Sequence, residues 1–224
     1  MNVVYALTRN IYEWIVPSVR SLAEHNKNVR LFIVCEDDEF PIDLPIKPEV
    51  INVTGQTYFP ENSVNYNSMF KYINLLKVCY ASLLPVNKVI HLDVDTIIND
   101  SIDELWKTDI KGKYAAMVKE HHGRYKPFGN DYFNAGVLLL NLAQIRKDGM
   151  QEKYVAYLNT VKTPWVDQDA WNNYGGIVEL PVRWNENSIC GMTDKPAIIH
   201  YCGIVNWWTE RHIPRVEYLD KYRR

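Results

Sequence analysis

Asp93 and Asp95 stand two residues apart inside the apolar run VIHLDVDTII, residues 89–98. A buried charge is costly unless something compensates it. On a strand, side chains at i and i+2 project to one face, so the two carboxylates converge on one point. Carboxylates that close repel, and a divalent cation between them removes the repulsion while taking an oxygen from each. The plainer alternative is a strand end with one solvated aspartate and one helix cap for SIDELW, and the apolar flanks weigh against it. Lys77 is a second group with no obvious partner. On a helix over 67–84 its neighbours are Ile73, Tyr80, Ala81 and Leu84, so the ammonium needs an anion or must snorkel to water.

The elements that must position these groups follow from the apolar pattern. Strand-length runs occur at 2–7, 29–37, 49–55, 88–98, 114–120, at the start of 132–147, and in GIVELP and AIIHYCG. Helical stretches fall at 12–26, with Pro17 marking a start or kink, at 67–84, and at the end of 132–147. Alternating strands and helices, with strands apolar on both faces, predict an α/β fold whose mostly parallel central sheet is flanked by helices. Ligands gather at the carboxyl ends of such strands. Asp37, Asp93, Asp95, Glu120 and His200 all fall at the ends of apolar runs.

Size and composition set the bounds. The 224 residues suit one generous domain, and 47% hydrophobic content with a net charge of −2 describes an ordinary globule without a nucleic-acid surface. Cys35, Cys79, Cys190 and Cys202 form no CxxC pair, which predicts a reducing, cytoplasmic setting without a disulfide framework. The segment MNVVYALTRN has neither the basic nor the apolar region of a signal peptide, and runs such as AGVLLLNLA are too short to span a bilayer. No transmembrane segment is expected, and peripheral membrane contact stays open.

Two enzyme classes use paired aspartates in this way. HLDVDT fits the DxDxT strand of haloacid dehalogenase-type phosphatases, but that chemistry needs a later acidic pair, and the later runs end in Lys119-Glu120, Asn141, Pro181 and His200. The other class is the nucleotide-sugar glycosyltransferases, whose DxD holds a metal that bridges the donor phosphates. LLKVCYASLLPVNKVIHLDVDTII, YFNAGVLLLNL, DQDAWN, IIHYCGIVNWW and the N-terminal YALTRN together resemble glycosyltransferase family 8, the retaining family of glycogenin and the bacterial lipooligosaccharide galactosyltransferases. The motifs occur in family order and cover nearly the whole chain.

The resemblance implies one Rossmann-like domain of the GT-A type over residues 1–224, with a nucleotide-binding half (1–100) ending in DxD and a sugar and acceptor half (101–224). It implies Asp93, Asp95 and His200 as ligands of a metal, usually Mn²⁺. A neutral imidazole beside two carboxylates suits Mn²⁺ better than Mg²⁺, although Mg²⁺ stays open. It places Lys77 facing a UDP-sugar donor, Asp167 and Gln168 at the reacting face, and Asn134, Ala135 and Gly136 at the sugar hydroxyls. The resemblance also implies that Leu7, Thr8 and Asn10 hold the nucleotide base, with Tyr12 as a candidate to stack on it, and that Val94, Gly203 and Asn206 line the donor. Asp169 is expected to cap the helix AWNNYG. The resemblance implies a hydroxyl acceptor, with a glycan, a protein and a lipid-linked sugar all left open. One departure stands out: the family's diphosphate-binding lysine near the terminus is Asn206 here, followed by Trp207 in place of a proline. The loss of that cation leaves open a nucleotide-sugar-binding protein with little transferase activity.

Overall fold

The computed structural model describes residues 1–68, 70–121, 129, 131–204 and 206–223. In chain order these form β1 (Asn2–Ala6), α1 (Ile15–His25), β2 (Arg30–Cys35), β3 (Pro48–Asn52), α2 (Tyr72–Leu75), α3 (Tyr80–Leu83), β4 (Lys88–Leu92), β5 (Thr96–Ile98), α4 (Asp103–Lys107), β6 (Ala115–Lys119), β7 (Phe133–Asn141), α5 (Leu142–Lys147), α6 (Met150–Thr160), α7 (Asp167–Tyr174), β8 (Ile177–Leu180), β9 (Ile198–His200) and α8 (Val216–Asp220). Turns of 3₁₀ helix precede α1 (Arg9–Trp14), join α2 to α3 (Leu76–Cys79) and follow β8 (Val182–Trp184).

A seven-stranded sheet runs in the order β3-β2-β1-β4-β7-β6-β8. Only β7 is antiparallel to its neighbours; the other strands all point one way. Alternate residues feed two separate cores, as a sheet covered on both faces requires. Val4, Phe32, Val89 and Leu138 pack with α5, α6 and α7 on one face. Val3, Leu31, Ile90 and Leu139 pack with α1 and α4 on the other. A third, smaller cluster joins Ile97 and Ile199 to Tyr201, Trp207, Leu219 and Tyr222 of the C-terminal segment. Trp207, at the proline position of the family motif, is thus a packing residue, stacked on Tyr201 at 6.0 Å.

Two expected elements differ. The single strand over 88–98 is two strands. β4 ends at Leu92, and β5 leaves the main sheet to pair antiparallel with β9. Asp93, Val94 and Asp95 are the turn between them, closed where Thr96 N–H and its hydroxyl both reach the Asp93 carbonyl, at 3.2 and 2.8 Å. The helix over 67–84 is also broken: α2 starts at Tyr72, and the 3₁₀ turn that follows it carries Lys77. Position 69 of that expected helix lies outside the described residues. The C-terminal stretch forms only one helical turn and a half, α8, anchored by buried Leu219.

Candidate metal and donor site

Six strands aim their carboxyl ends at one edge of the sheet, and β7 begins at that same edge. There the Asp93 N–H donates to the Gly136 carbonyl at 2.8 Å, tying the DxD turn to the FNAG segment. The third candidate ligand arrives by a different pairing. β5 and β9 are in register with Thr96 opposite His200, and Tyr201 N–H donates to the Asp95 carbonyl at 2.9 Å. The His200 Nε2 therefore stands 3.2 Å from Asp95 Oδ1 and 3.9 Å from Asp93 Oδ2. One atom from each of Asp93, Asp95 and His200 lies within 4.8 Å of the others. Two carboxylates and one imidazole, drawn from segments about a hundred residues apart, form a donor set that fits a divalent cation of mixed oxygen and nitrogen preference.

Lys77 is buried and has carboxylate partners within the protein. Its ammonium donates to Asp93 Oδ1 at 2.7 Å and lies 3.6 Å from Asp167 Oδ2. Burial alone would lower the lysine's pKa, but the charges of Asp167 and Asp93 outweigh it and hold it above its ordinary value. Burial would likewise raise Asp93, yet Lys77, with His91 and His200, holds that carboxyl well below the usual range. Asp167 comes out the other way. Burial pushes it up to about 7, Lys77 opposing and Asp93 adding to the rise. Its Oδ2 has no hydrogen-bond partner among the described residues. His200 is raised: burial disfavours its charge, but the Asp95 carboxylate overrides that.

The FNAG and DQD segments interlock. Gln168 Oε1 accepts from Ala135 N–H at 2.9 Å, and its Nε2 donates to Glu120 Oε1 at 3.0 Å. Asn134 Nδ2 donates to Glu120 Oε1 at 3.0 Å, while its Oδ1 accepts from Gly136 N–H at 3.0 Å. Gly136 matters for a reason other than the sugar: a Cβ there would overlap the His200 ring. Asp169 is not a helix cap. It lies in the first turn of α7, after an N-cap at Val166, and accepts from Tyr132 hydroxyl at 2.6 Å and Trp165 N–H at 2.9 Å.

The expected base-binding residues follow β1. Leu7 is buried, and Thr8 donates to Asn10 Oδ1 at 2.6 Å. The Tyr12 ring is buried against Phe40 at 4.7 Å, and its hydroxyl donates to Asp37 Oδ2 at 2.8 Å. Arg9 also pairs with Asp37. Val94 is half-buried at the DxD turn. Gly203 and Asn206 are exposed in the turn after β9, with φ of 73° and 61°. Asparagine tolerates that left-handed conformation better than most side chains do, which rationalises its place there.

Three residues in contact with the candidate site were not among the expected ones. His91 donates from Nε2 to Asp93 Oδ1 and accepts the Tyr80 hydroxyl at Nδ1, both at 3.0 Å; burial, and then Lys77, pushes its pKa down to about 4. The spacing H-x-D-x-D carried that signal. Glu120 ties Asn134 to Gln168, and its place at the end of an apolar run pointed to it. Asn185 accepts from His200 Nδ1 at 2.8 Å and carried no signal in the sequence. No helix among the described residues is long and apolar enough to cross a membrane.

A mostly parallel seven-stranded sheet flanked by helices, with an acidic turn at its carboxyl edge, is the architecture of the GT-A type glycosyltransferases. A crystal structure of the galactosyltransferase LgtC with donor and acceptor sugar analogues superposes with a TM-score of 0.76 at 20% identity, covering all of this chain and 95% of that one. The sequence profile of glycosyl transferase family 8 matches residues 2–212, and the chain belongs to that family. Among curated relatives, glycosyltransferase GlyA of Streptococcus pneumoniae serotype 4 is 26% identical over 93% of this chain, which spans 32% of GlyA's length. The lipopolysaccharide 1,2-glucosyltransferase of Escherichia coli is 25% identical over 92% of this chain and 73% of its own. Family membership sets aside the phosphatase alternative.

Proposed function

We propose that this protein is a metal-dependent, retaining hexosyltransferase that moves glucose or galactose from a UDP-sugar to a hydroxyl of a glycan, protein or lipid-linked sugar. One observation carries the reading: Asp93, Asp95 and His200 converge at the carboxyl edge of the sheet beside a buried lysine. Family membership and the sugars named for LgtC and the Escherichia coli relative support the hexose. Residues 1–224 act as one unit, the first half holding the nucleotide and the second the sugar and acceptor.

Bound Mn²⁺ would supply Lewis acidity at the departing diphosphate. The chain's own residues do the rest. Lys77 holds Asp93 in one rotamer through a charge-assisted bond and adds positive charge near where negative charge develops. Asp167, whose buried Oδ2 faces Lys77 at 3.6 Å but accepts no hydrogen bond among the described residues, is placed to accept one from a sugar hydroxyl. Gln168 is held at both ends of its amide, by Ala135 and Glu120, so it orients the reacting sugar rather than swinging to attack it. In the transfer, the anomeric carbon–oxygen bond to UDP breaks with its electron pair going to the departing phosphate oxygen, the acceptor oxygen bonds to the same face, and the acceptor hydroxyl's proton passes to that phosphate oxygen.

NMR of each candidate UDP-sugar incubated with protein and Mn²⁺ tests this reading. Slow hydrolysis of one donor, lost in Asp95→Asn along with metal-dependent UDP binding by calorimetry, is the expected result. UDP binding with metal but no hydrolysis or product would instead support the binding-protein alternative that Asn206 motivates. Unchanged UDP binding by Asp95→Asn would remove the metal site.

A further inference from the structure

A chain of hydrogen bonds with only one consistent set of donors and acceptors runs from the backbone of β7 to the imidazole of His200. It starts at Gly136 N–H, which can only donate. Asn134 must therefore turn Oδ1 toward it, and does so at 3.0 Å; its Nδ2 meets the Glu120 carboxylate, which can accept, at 3.0 Å. Asn134 is thereby pinned at both ends. Its Oδ1 also faces Asn185, so Asn185 must present Nδ2 there, at 2.8 Å. That turns Asn185 Oδ1 toward His200 Nδ1, at 2.8 Å. Asn187 secures the same orientation, its Nδ2 donating to Asn185 Oδ1 and to the Asn185 carbonyl at 3.1 Å each. An amide oxygen cannot donate, so the ring hydrogen sits on His200 Nδ1. In the neutral ring, the form a cation would bind, the lone pair of Nε2 then faces Asp93 and Asp95.

We propose that Asn185 is a positioning residue that fixes the Nδ1–H form of His200 and so reserves Nε2 for a cation. The proposal rests on the metal reading above. Asn185 is fully buried. Its segment is held beside β9, with Glu186 N–H donating to the Ile198 carbonyl and His200 N–H to the Glu186 carbonyl, both at 2.9 Å. Without the Asn185 oxygen, the neutral ring would gain by moving its hydrogen to Nε2 and donating to Asp95 Oδ1, 3.2 Å away. That hydrogen would occupy the position a metal needs. Outer partners of ligating histidines act in this way generally, and their loss weakens metal binding roughly ten- to a hundredfold.

Two variants and two readouts test the proposal. Long-range proton–nitrogen NMR of the metal-free protein at alkaline pH reports which His200 nitrogen carries the hydrogen. Electron paramagnetic resonance of free Mn²⁺ reports affinity. The wild type should show Nδ1–H alone. Asn185→Leu, of similar size and folded by circular dichroism, should shift to Nε2–H and bind Mn²⁺ roughly ten- to a hundredfold more weakly. Asn185→Asp keeps an acceptor and should keep Nδ1–H. Nδ1–H retained in Asn185→Leu, undiminished Mn²⁺ affinity in it, or Nε2–H in Asn185→Asp would each overturn the proposal. If the wild type binds no Mn²⁺, the metal reading fails, and the role of Asn185 in reserving a ligand falls with it; a tautomer shift in Asn185→Leu would then mark a purely structural bond.

Discussion

The imidazole of His200 lies over the Cα of Gly136, so that a Cβ on residue 136 would overlap Cε1, Nδ1 and Nε2 of the ring together. The two residues come from β7 and β9, which do not pair with each other. Gly136→Ala should therefore push the ring away from Asp95 while leaving the apolar ladder of β7 intact. The expected outcome is a normal circular dichroism spectrum with Mn²⁺ affinity reduced at least about tenfold, the lower end for a disturbed ligand environment. Wild-type affinity in this variant would mean that the ring does not need that space to reach its position.

Lys77→Met keeps the length and the apolar stem but removes the only cation within 4 Å of Asp167 among the described residues. Breaking a buried pair from one side leaves an uncompensated charge, at a typical cost of about 3–5 kcal/mol. Urea unfolding at neutral pH should show a loss of that order, and a midpoint equal to wild type would contradict the buried ion-pair description.

Asp167 gives a pH signature. Its pKa is raised by burial to about 7, so between about pH 4 and pH 7 the folded protein holds a proton that the unfolded chain has released. Stability therefore falls as pH rises through that window, by at most about 1.4 kcal/mol per pH unit for this one group. Asp93, held low, acts in the opposite direction and only at more acid pH. Asp167→Asn should flatten the fall. Urea midpoints at pH 5 and pH 8 check it: the variant should gain on the wild type at the higher pH, and a parallel decline in both would rule Asp167 out as the source.

Gln168→Glu changes one atom that matters. The Ala135 N–H keeps an acceptor, but the position that donated to Glu120 Oε1 becomes a second carboxylate oxygen about 3.0 Å from the first. A lost donor of this kind costs about 1–3 kcal/mol, and two adjacent carboxylates raise each other's pKa. The variant should be less stable than wild type at neutral pH and recover toward it in mild acid. Thermal unfolding across that range is the measurement; a pH-independent deficit would point to lost packing instead.

Much of this arrangement was legible in advance. Continuous apolar runs at 2–7 and 29–37 marked strands buried on both faces, and β1 and β2 occupy nearly the same residues. The motif text brought Asp93, Asp95 and His200 into one hypothesis, and they do converge. The break at the DxD was not legible, because VIHLDVDTII is apolar enough to read as a single strand. What ends β4 at Leu92 is the departure of β5 toward β9, a pairing with a segment about a hundred residues away. Lys77 illustrates the same limit. Its need for an anion could be read from its apolar neighbours, but not that Asp93 and Asp167 meet that need within the chain itself.

Residue order alone marked most of the strands, the family and the chemical types of the candidate site, because periodicity and motif spacing are local properties of the chain. Tertiary structure decided which face of His200 looks at the aspartates, why residue 136 has no side chain, and what neutralises a buried lysine. Those depend on hydrogen-bond direction and close contact between segments that meet only when the sheet has formed, and no local pattern encodes them.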